Sequence, residues 1–245
     1  MRRAAALLLV LAACSTGRPP PPPAANSPTT PGPLYVAVGA SETTGIGAET
    51  PLREAWPRVL FRTVMPTNAA FVNLGIPGAT VATALRLELP QATQLQPDVV
   101  TVWLNVNDIL AGVPPADFER DLGALVRGLR RTGQARVLVA NAPPVDHLPA
   151  YRACRPAPPA AGPECRAPGG ELPPPEVVNQ LIAAYNAATA RVAAAEGATL
   201  VDLHAVGMEA RAAGIEAALI SGDGFHPNAG GYQRVATAFA QAYQR

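Results

Sequence analysis

Short β-rich runs alternate with longer stretches of helical period along most of this chain, and that alternation restricts the fold more than any other feature. The β-rich runs are "LYVAVG" (34–39), "AFVNLG" (70–75), "DVVTVWL" (98–104), "RVLVAN" (136–141) and "TLVDL" (199–203). The first is apolar at every position, as a strand buried on both faces would be. Between the third and fourth, Phe118, Leu122, Leu125, Val126 and Leu129 recur at helical spacing, with Gly133 as a stop. Between the fourth and fifth, Val177, Leu181, Tyr185, Ala188 and Val192 do the same, ending at Gly197. "EAWPRVLFRTV" reads as a helix with Pro57 as its weak point, and a last helix covers roughly 229–243. Strands that alternate with helices imply a parallel sheet covered on both sides, here with five strands.

With 245 residues, 49% of them apolar, the chain is long enough for one domain with a sizeable core. A net charge of +1 without a long basic run gives no footing for nucleic acid. All 19 basic residues are arginine, so a lysine nucleophile or Schiff base is excluded.

The N-terminus reads as a targeting segment. Arg2 and Arg3 precede a short apolar run, Ala4 to Leu11, that is too short to span a bilayer. The run ends in Leu11-Ala12-Ala13-Cys14, which resembles the lipobox of bacterial lipoproteins. That resemblance makes residues 1–14 a signal peptide, Cys14 the lipidated residue, and the protein exported to the cell envelope with its domain outside the cytoplasm. An ordinary signal peptide with an incidental cysteine is the alternative. Residues 15–33 are rich in proline and lack apolar periodicity, as expected of a semi-rigid tether reaching about 50–60 Å. The folded domain is then 34–245. Within it, Pro143 to Pro175 is a Pro/Gly-rich insertion carrying Cys154 and Cys165. In an exported protein these two are expected to form a disulfide, with free thiols as the other reading.

In parallel sheets of this kind, sites form beyond the carboxyl ends of the strands. Four segments meet that condition. "GASETTG" follows the first strand and exposes Ser41 in a Gly-flanked turn, although a lone serine there is more often a cap. "NLGIPGAT" follows the second, and Gly78 can present a backbone N–H without a side chain in the way. "NVND" follows the third and offers the Asn107 amide, although an isolated Asn-Asp is more often an Asx turn. "DGFHPN" near the C-terminus allows Asp223 to hold one ring nitrogen of His226 within a single turn, leaving the other free to take a proton. Together they supply a nucleophile, a base, an orienting acid and oxyanion donors, which is the set that acyl transfer requires.

These blocks resemble those of the SGNH hydrolases, the GDSL-type esterases and lipases. "GASETTG" is similar to the first block, Gly-Asp-Ser-x-(Ser/Thr)-x-Gly, "NVND" to Gly-x-Asn-Asp, and "DGFHPNAGGY" to the closing Asp-x-x-His-Pro. The blocks occur in family order. The resemblance implies a three-layer α/β/α, flavodoxin-like domain that hydrolyses esters through an acyl-enzyme. It makes Ser41 the nucleophile, His226 the base and Asp223 its orienter. The Ser41 and Gly78 N–H groups and the Asn107 side chain would form the oxyanion hole. No metal or cofactor is implied, and His147 and His204 stand outside the blocks. Two positions depart from the pattern: Ala40 replaces the usual Asp, and Asn105 replaces the usual Gly. Two rival readings follow, a tethered protein that binds an acylated glycan or lipid without turnover, and an acyltransferase to a sugar hydroxyl.

Overall fold

The computed structural model describes residues 31–166 and 171–245. Cys14, the signal segment and the tether up to residue 30 lie outside the described residues. The chain runs β1 (Leu34–Gly39), α1 (Ser41–Thr44), α2 (Pro51–Glu54), α3 (Trp56–Val64), β2 (Ala70–Asn73), α4 (Val81–Leu95) and β3 (Val99–Trp103). It continues with α5 (Val106–Leu110), α6 (Pro115–Arg130), β4 (Arg136–Ala140), α7 (Pro149–Ala153), α8 (Pro175–Glu196), β5 (Thr199–Val201), α9 (Leu203–Ala212) and α10 (Ala229–Tyr243).

All five strands pair in parallel, in the order β2-β1-β3-β4-β5. The two-residue period of a strand divides the core. Val36, Val38, Val100, Val102, Val137 and Val139 point to one face, where Leu122, Val126 and Tyr185 from α6 and α8 cover them. Tyr35, Ala37, Trp103, Leu138 and Ala140 point to the other, against Trp56 and Leu60 of α3 and Tyr232 and Phe239 of α10. The result is the three-layer α/β/α arrangement expected. Trp56 stacks on Phe239 with ring centroids 4.2 Å apart, which joins α3 to α10.

Several local expectations need adjustment. Pro57 does not interrupt its helix. It occupies the first turn of α3, where its missing N–H would have had no partner, and the preceding residues form the separate α2. The second and fifth strands are shorter than the apolar runs suggested, because β2 and β5 are the sheet edges and each finds only one neighbour. In α8 the core face carries Val178 and Ile182, while Val177 is 48% exposed. α4 was not foreseen. Its interior Pro90 argues against a helix, yet Thr80 caps its start by accepting from the Thr83 N–H, and packing against α6 holds it.

The chain leaves β1 toward β2 on one side and returns through α4 to β3 on the other. A crevice therefore opens at the carboxyl ends of β1 and β3, the switch point of the sheet.

Candidate active site

Ser41 opens α1 directly after β1, so its side chain stands at this crevice; it is 7% exposed. The turn is held from several directions. The N–H groups of Thr43 and Thr44 both donate to Ala40 O, and Gly45 closes α1 in a left-handed conformation that favours glycine. Asn73 Nδ2 donates to Thr43 O at 2.7 Å. From α4, the buried Glu88 accepts the Gly39 N–H at 2.8 Å, one residue before Ala40.

Asp223 and His226 lie on the loop that leads into α10. The backbone of this loop folds back on itself: the Gly224 N–H donates to Ser221 O and the Ser221 N–H to His226 O. Asn228 then caps α10, accepting the Gly231 N–H, and its amide donates to Ala218 O and Ile220 O. His226 Nδ1 lies 2.6 Å from Asp223 Oδ2, and Nε2 lies 2.9 Å from Ser41 Oγ across 185 residues of sequence. The other Asp223 oxygen accepts from the Ser221 hydroxyl and from the Phe225 and His226 N–H groups, at 2.8 to 2.9 Å. Partial burial works to raise the Asp223 carboxyl, but these donors and the ring outweigh it and hold it at about 2. An ionised Asp223 requires the ring proton on Nδ1, which leaves the Nε2 lone pair facing the Ser41 hydroxyl.

Gly78 and Asn107 belong to neighbouring loops at the same edge. The chain after β2 continues alongside β1, with the Leu74 N–H on Ala37 O and the Ile76 N–H on Gly39 O. That brings Gly78, at φ +78° and with open space on its Cα, to the crevice. Asn107 Nδ2 donates to Ala79 O at 3.0 Å, which sets its amide beside Gly78 and leaves one amide hydrogen uncommitted to that bond. Asp108 completes the tie: both its oxygens accept the Val81 N–H, at 3.1 and 3.2 Å. Burial pushes the Asp108 carboxyl up to about 6. The structure thus brings Ser41, His226 and Asp223 into one hydrogen-bonded chain and gathers Gly78 and Asn107 at the same end of the sheet.

The two departures have physical consequences. Ala40 is buried and leaves the support of the turn to Asn73 and Glu88. Asn105 is buried at the end of β3, where its amide donates to Ala140 O and joins β3 to β4.

Glu42 was not singled out from the sequence. Its Oε2 lies 3.3 Å from Ser41 Oγ, so the serine proton has a second acceptor besides His226. Burial raises the Glu42 carboxyl, while its own N–H, His226 and Ser41 pull in the opposite direction. Glu42 also borders a mostly apolar groove beside the Asp223–His226 loop, lined by Trp103, Val106, Leu148, Leu203, Val206 and Phe225. Glu88 and Ser221 were likewise missed, because nothing in the local sequence marks a helix glutamate or a loop serine as a support. His204 contributes its backbone N–H to Asn141 Oδ1, and His147 Nδ1 lies 3.3 Å from Glu216. Cys154 and Cys165 are joined in a disulfide. Among the described residues no cluster of His, Cys, Asp or Glu has the arrangement of a metal site.

The solved structure of TesA aligns with a TM-score of 0.63 at 22% identity, over 86% of this chain and 98% of that one. A lipase/acylhydrolase from Enterococcus faecalis aligns with a TM-score of 0.63 at 19% identity, over 85% and 94%. An acetylxylan esterase from Geobacillus stearothermophilus aligns with a TM-score of 0.62 at 19% identity, over 86% and 94%. At these identities the likeness establishes a shared fold. No curated protein matches the sequence. The family model of the GDSL-like lipases and acylhydrolases matches residues 37–234, which run from within β1 and take in the crevice and all four blocks. This chain belongs to the GDSL-like lipase/acylhydrolase family and is a carboxylic ester hydrolase.

Proposed function

We propose that the protein is an exported, lipid-anchored serine esterase that cleaves an ester in the cell envelope through an acyl-enzyme. The observation that carries this reading is the unbroken chain from Asp223 Oδ2 through the His226 ring to Ser41 Oγ, at 2.6 and 2.9 Å. His226 takes the Ser41 proton through Nε2 as Oγ attacks the acyl carbonyl. Asp223 stabilises the imidazolium so formed and fixes its tautomer. The negative oxygen of the tetrahedral intermediate is met by the Ser41 and Gly78 N–H groups and by Asn107 Nδ2, donors of a kind each worth about 10²–10³ in kcat. His226 then protonates the leaving alcohol, activates water against the acyl-enzyme, and returns to its starting state.

The mostly apolar groove beside the Asp223–His226 loop favours an ester with an apolar group on one side of the carbonyl. A lipid, a short-chain ester and an O-acylated carbohydrate all meet that description. The signal-like N-terminus with Cys14 supports attachment to a membrane through several acyl chains, and the proline-rich stretch after it supports a stand-off from that surface.

The test is labelling by a fluorophosphonate probe together with hydrolysis of a panel of p-nitrophenyl esters by the full chain. Wild type should be labelled and active. Ser41→Ala should lose both, and His226→Ala should lose turnover, each with an unchanged circular dichroism spectrum. Turnover near that of wild type in either variant removes the assignment. A wild type that neither labels nor turns over any ester is instead a binding protein.

A further inference from the structure

The loop that carries Asp223 and His226 projects beyond the sheet and borrows part of its support from elsewhere. Its inner side is fixed by its own backbone bonds and by the start of α10. Its outer side rests on the insertion between β4 and α8. The Ala150 N–H, in the first turn of α7, donates to Gly224 O at 3.0 Å. Gly224 directly follows Asp223, two residues before His226, in a left-handed conformation, φ +74°. A methyl group on it would lie 2.8 Å from Pro163 Cγ and 3.0 Å from both Ala150 N and Pro149 Cβ. The insertion is therefore in close contact with a residue that lies between Asp223 and His226.

Pro149 and Ala150 are held by a small core of their own. Tyr151 and Leu148 pack with Val178 and Ile182 of α8, and Phe225, next to His226, joins this cluster. The Tyr151 hydroxyl donates to Pro173 O at 2.6 Å, and the Leu172 N–H donates to Cys154 O. Pro163 lies outside this small core. From 156 to 166 the chain has no helix or strand, and every residue is exposed except the half-buried Pro163 and Cys165. The bridge from Cys165 to the buried Cys154, 11 residues back, ties this stretch down, with Pro163 two residues before the crossing point.

We propose that the disulfide-closed insertion is a strap that positions the catalytic acid and base, with Pro163 clamped on Gly224 by the Cys154–Cys165 bridge. Pro163 acts on the two side chains through the Gly224 backbone. The proposal rests on the reading of Asp223 and His226 as catalytic, and it adds that this chain sets their geometry from an insertion outside the family blocks. The physical reason is the steep dependence of proton transfer and attack on placement, where a shift of about 1 Å can cost on the order of 10²-fold.

Two variants of the full chain test the strap, assayed on p-nitrophenyl acetate, whose acyl group is too small to depend on a distant wall. Pro163→Ala keeps the bridge and removes only the ring that meets Gly224. It should lower kcat about 5- to 50-fold with KM within about twofold and the melting midpoint unchanged. Cys154→Ser/Cys165→Ser should show the same kcat loss or a larger one. Dithiothreitol should bring wild type to that level, reoxidation should restore it, and the double variant should not respond. Fluorophosphonate labelling of Ser41, measured alongside, reports on the hydrolase reading separately. A labelled wild type whose kcat is untouched by both variants overturns the strap and leaves the esterase standing. A lower melting midpoint with unchanged kcat makes the bridge a stabiliser only. A KM change confined to long acyl chains makes the insertion a substrate wall. Either outcome also overturns the proposal.

Discussion

Replacing Glu88 with glutamine should make the protein more stable, and more so the higher the pH. Glu88 is a fully buried carboxyl in α4; one oxygen accepts the Gly39 N–H and the other has no partner among the described residues. Burial pushes it up to about 8, against the downward pull of the Gly39 N–H. In the unfolded chain it titrates near its ordinary value of 4.5. Between these two values the native state holds a proton that the unfolded state has released. Raising the pH therefore costs native stability about 1.4 kcal/mol per unit, beginning near 4.5 and ending once the folded carboxyl ionises. The full effect is at most about 5 kcal/mol, and water entry on ionisation brings a realistic figure to about 2–5 kcal/mol. Glutamine keeps an oxygen for Gly39 and never titrates. The measurement is urea unfolding at pH 5 and pH 8.5, followed by the fluorescence of the buried Trp56 and Trp103. The advantage of Glu88→Gln should grow by at least about 2 kcal/mol between the two pH values. A difference that stays constant would mean that Glu88 reaches solvent, and the argument from its burial would fail.

Asp223→Asn should lower kcat by about 10²–10⁴-fold, because an amide can stabilise the wrong ring tautomer and cannot stabilise the imidazolium; steady-state rates at pH 7.5 measure it. Full activity would require another group to orient His226. Asp108→Ala frees the Val81 N–H and unties the loops that carry Gly78 and Asn107. It should cost about 1–3 kcal/mol of stability and reduce kcat more than KM, read from a melt and a kinetic series. Glu42→Gln removes the titrating charge beside Ser41, and should shift the pH dependence of kcat/KM while leaving the alkaline plateau within about tenfold. Identical profiles would show that the Glu42 carboxyl is not ionised in the working range.

The legible parts of this chain are the local ones. A strand buried on both faces announces itself as a run such as "YVAV", and an amphipathic helix by Phe118, Leu122, Val126 and Leu129. Asp223 and His226 could be paired because they stand three positions apart. Their meeting with Ser41, across 185 residues, was legible only because strand-end residues collect at one edge of a parallel sheet and because the four blocks resemble a known family. Glu88 shows why the remaining supports were hidden. In sequence it is one charged residue in a helix interrupted by Pro90, and such a residue ordinarily faces water. Only the packing of α4 against the sheet turns it inward to Gly39, 49 residues away.

The nucleophile and the base depend on different supports. Ser41 is fixed from within the sheet and from α4: β1 places it, and Asn73 at the end of β2 and Glu88 in α4 hold its turn. His226 is fixed from without. Its loop has no strand to anchor it, and the contacts on its outer side come from Pro149, Ala150 and Pro163. Damage to the core should therefore disturb attack and stability together, whereas damage to the insertion should disturb proton transfer with the core intact. Pro163→Ala and Asn73→Ala, which takes away the bond to Thr43 O in the Ser41 turn, form the contrasting pair. The first should lose rate at constant melting midpoint and the second should lose both. If the two variants behaved alike, the nucleophile and the base would share one support, and the division drawn here between sheet and strap would be wrong.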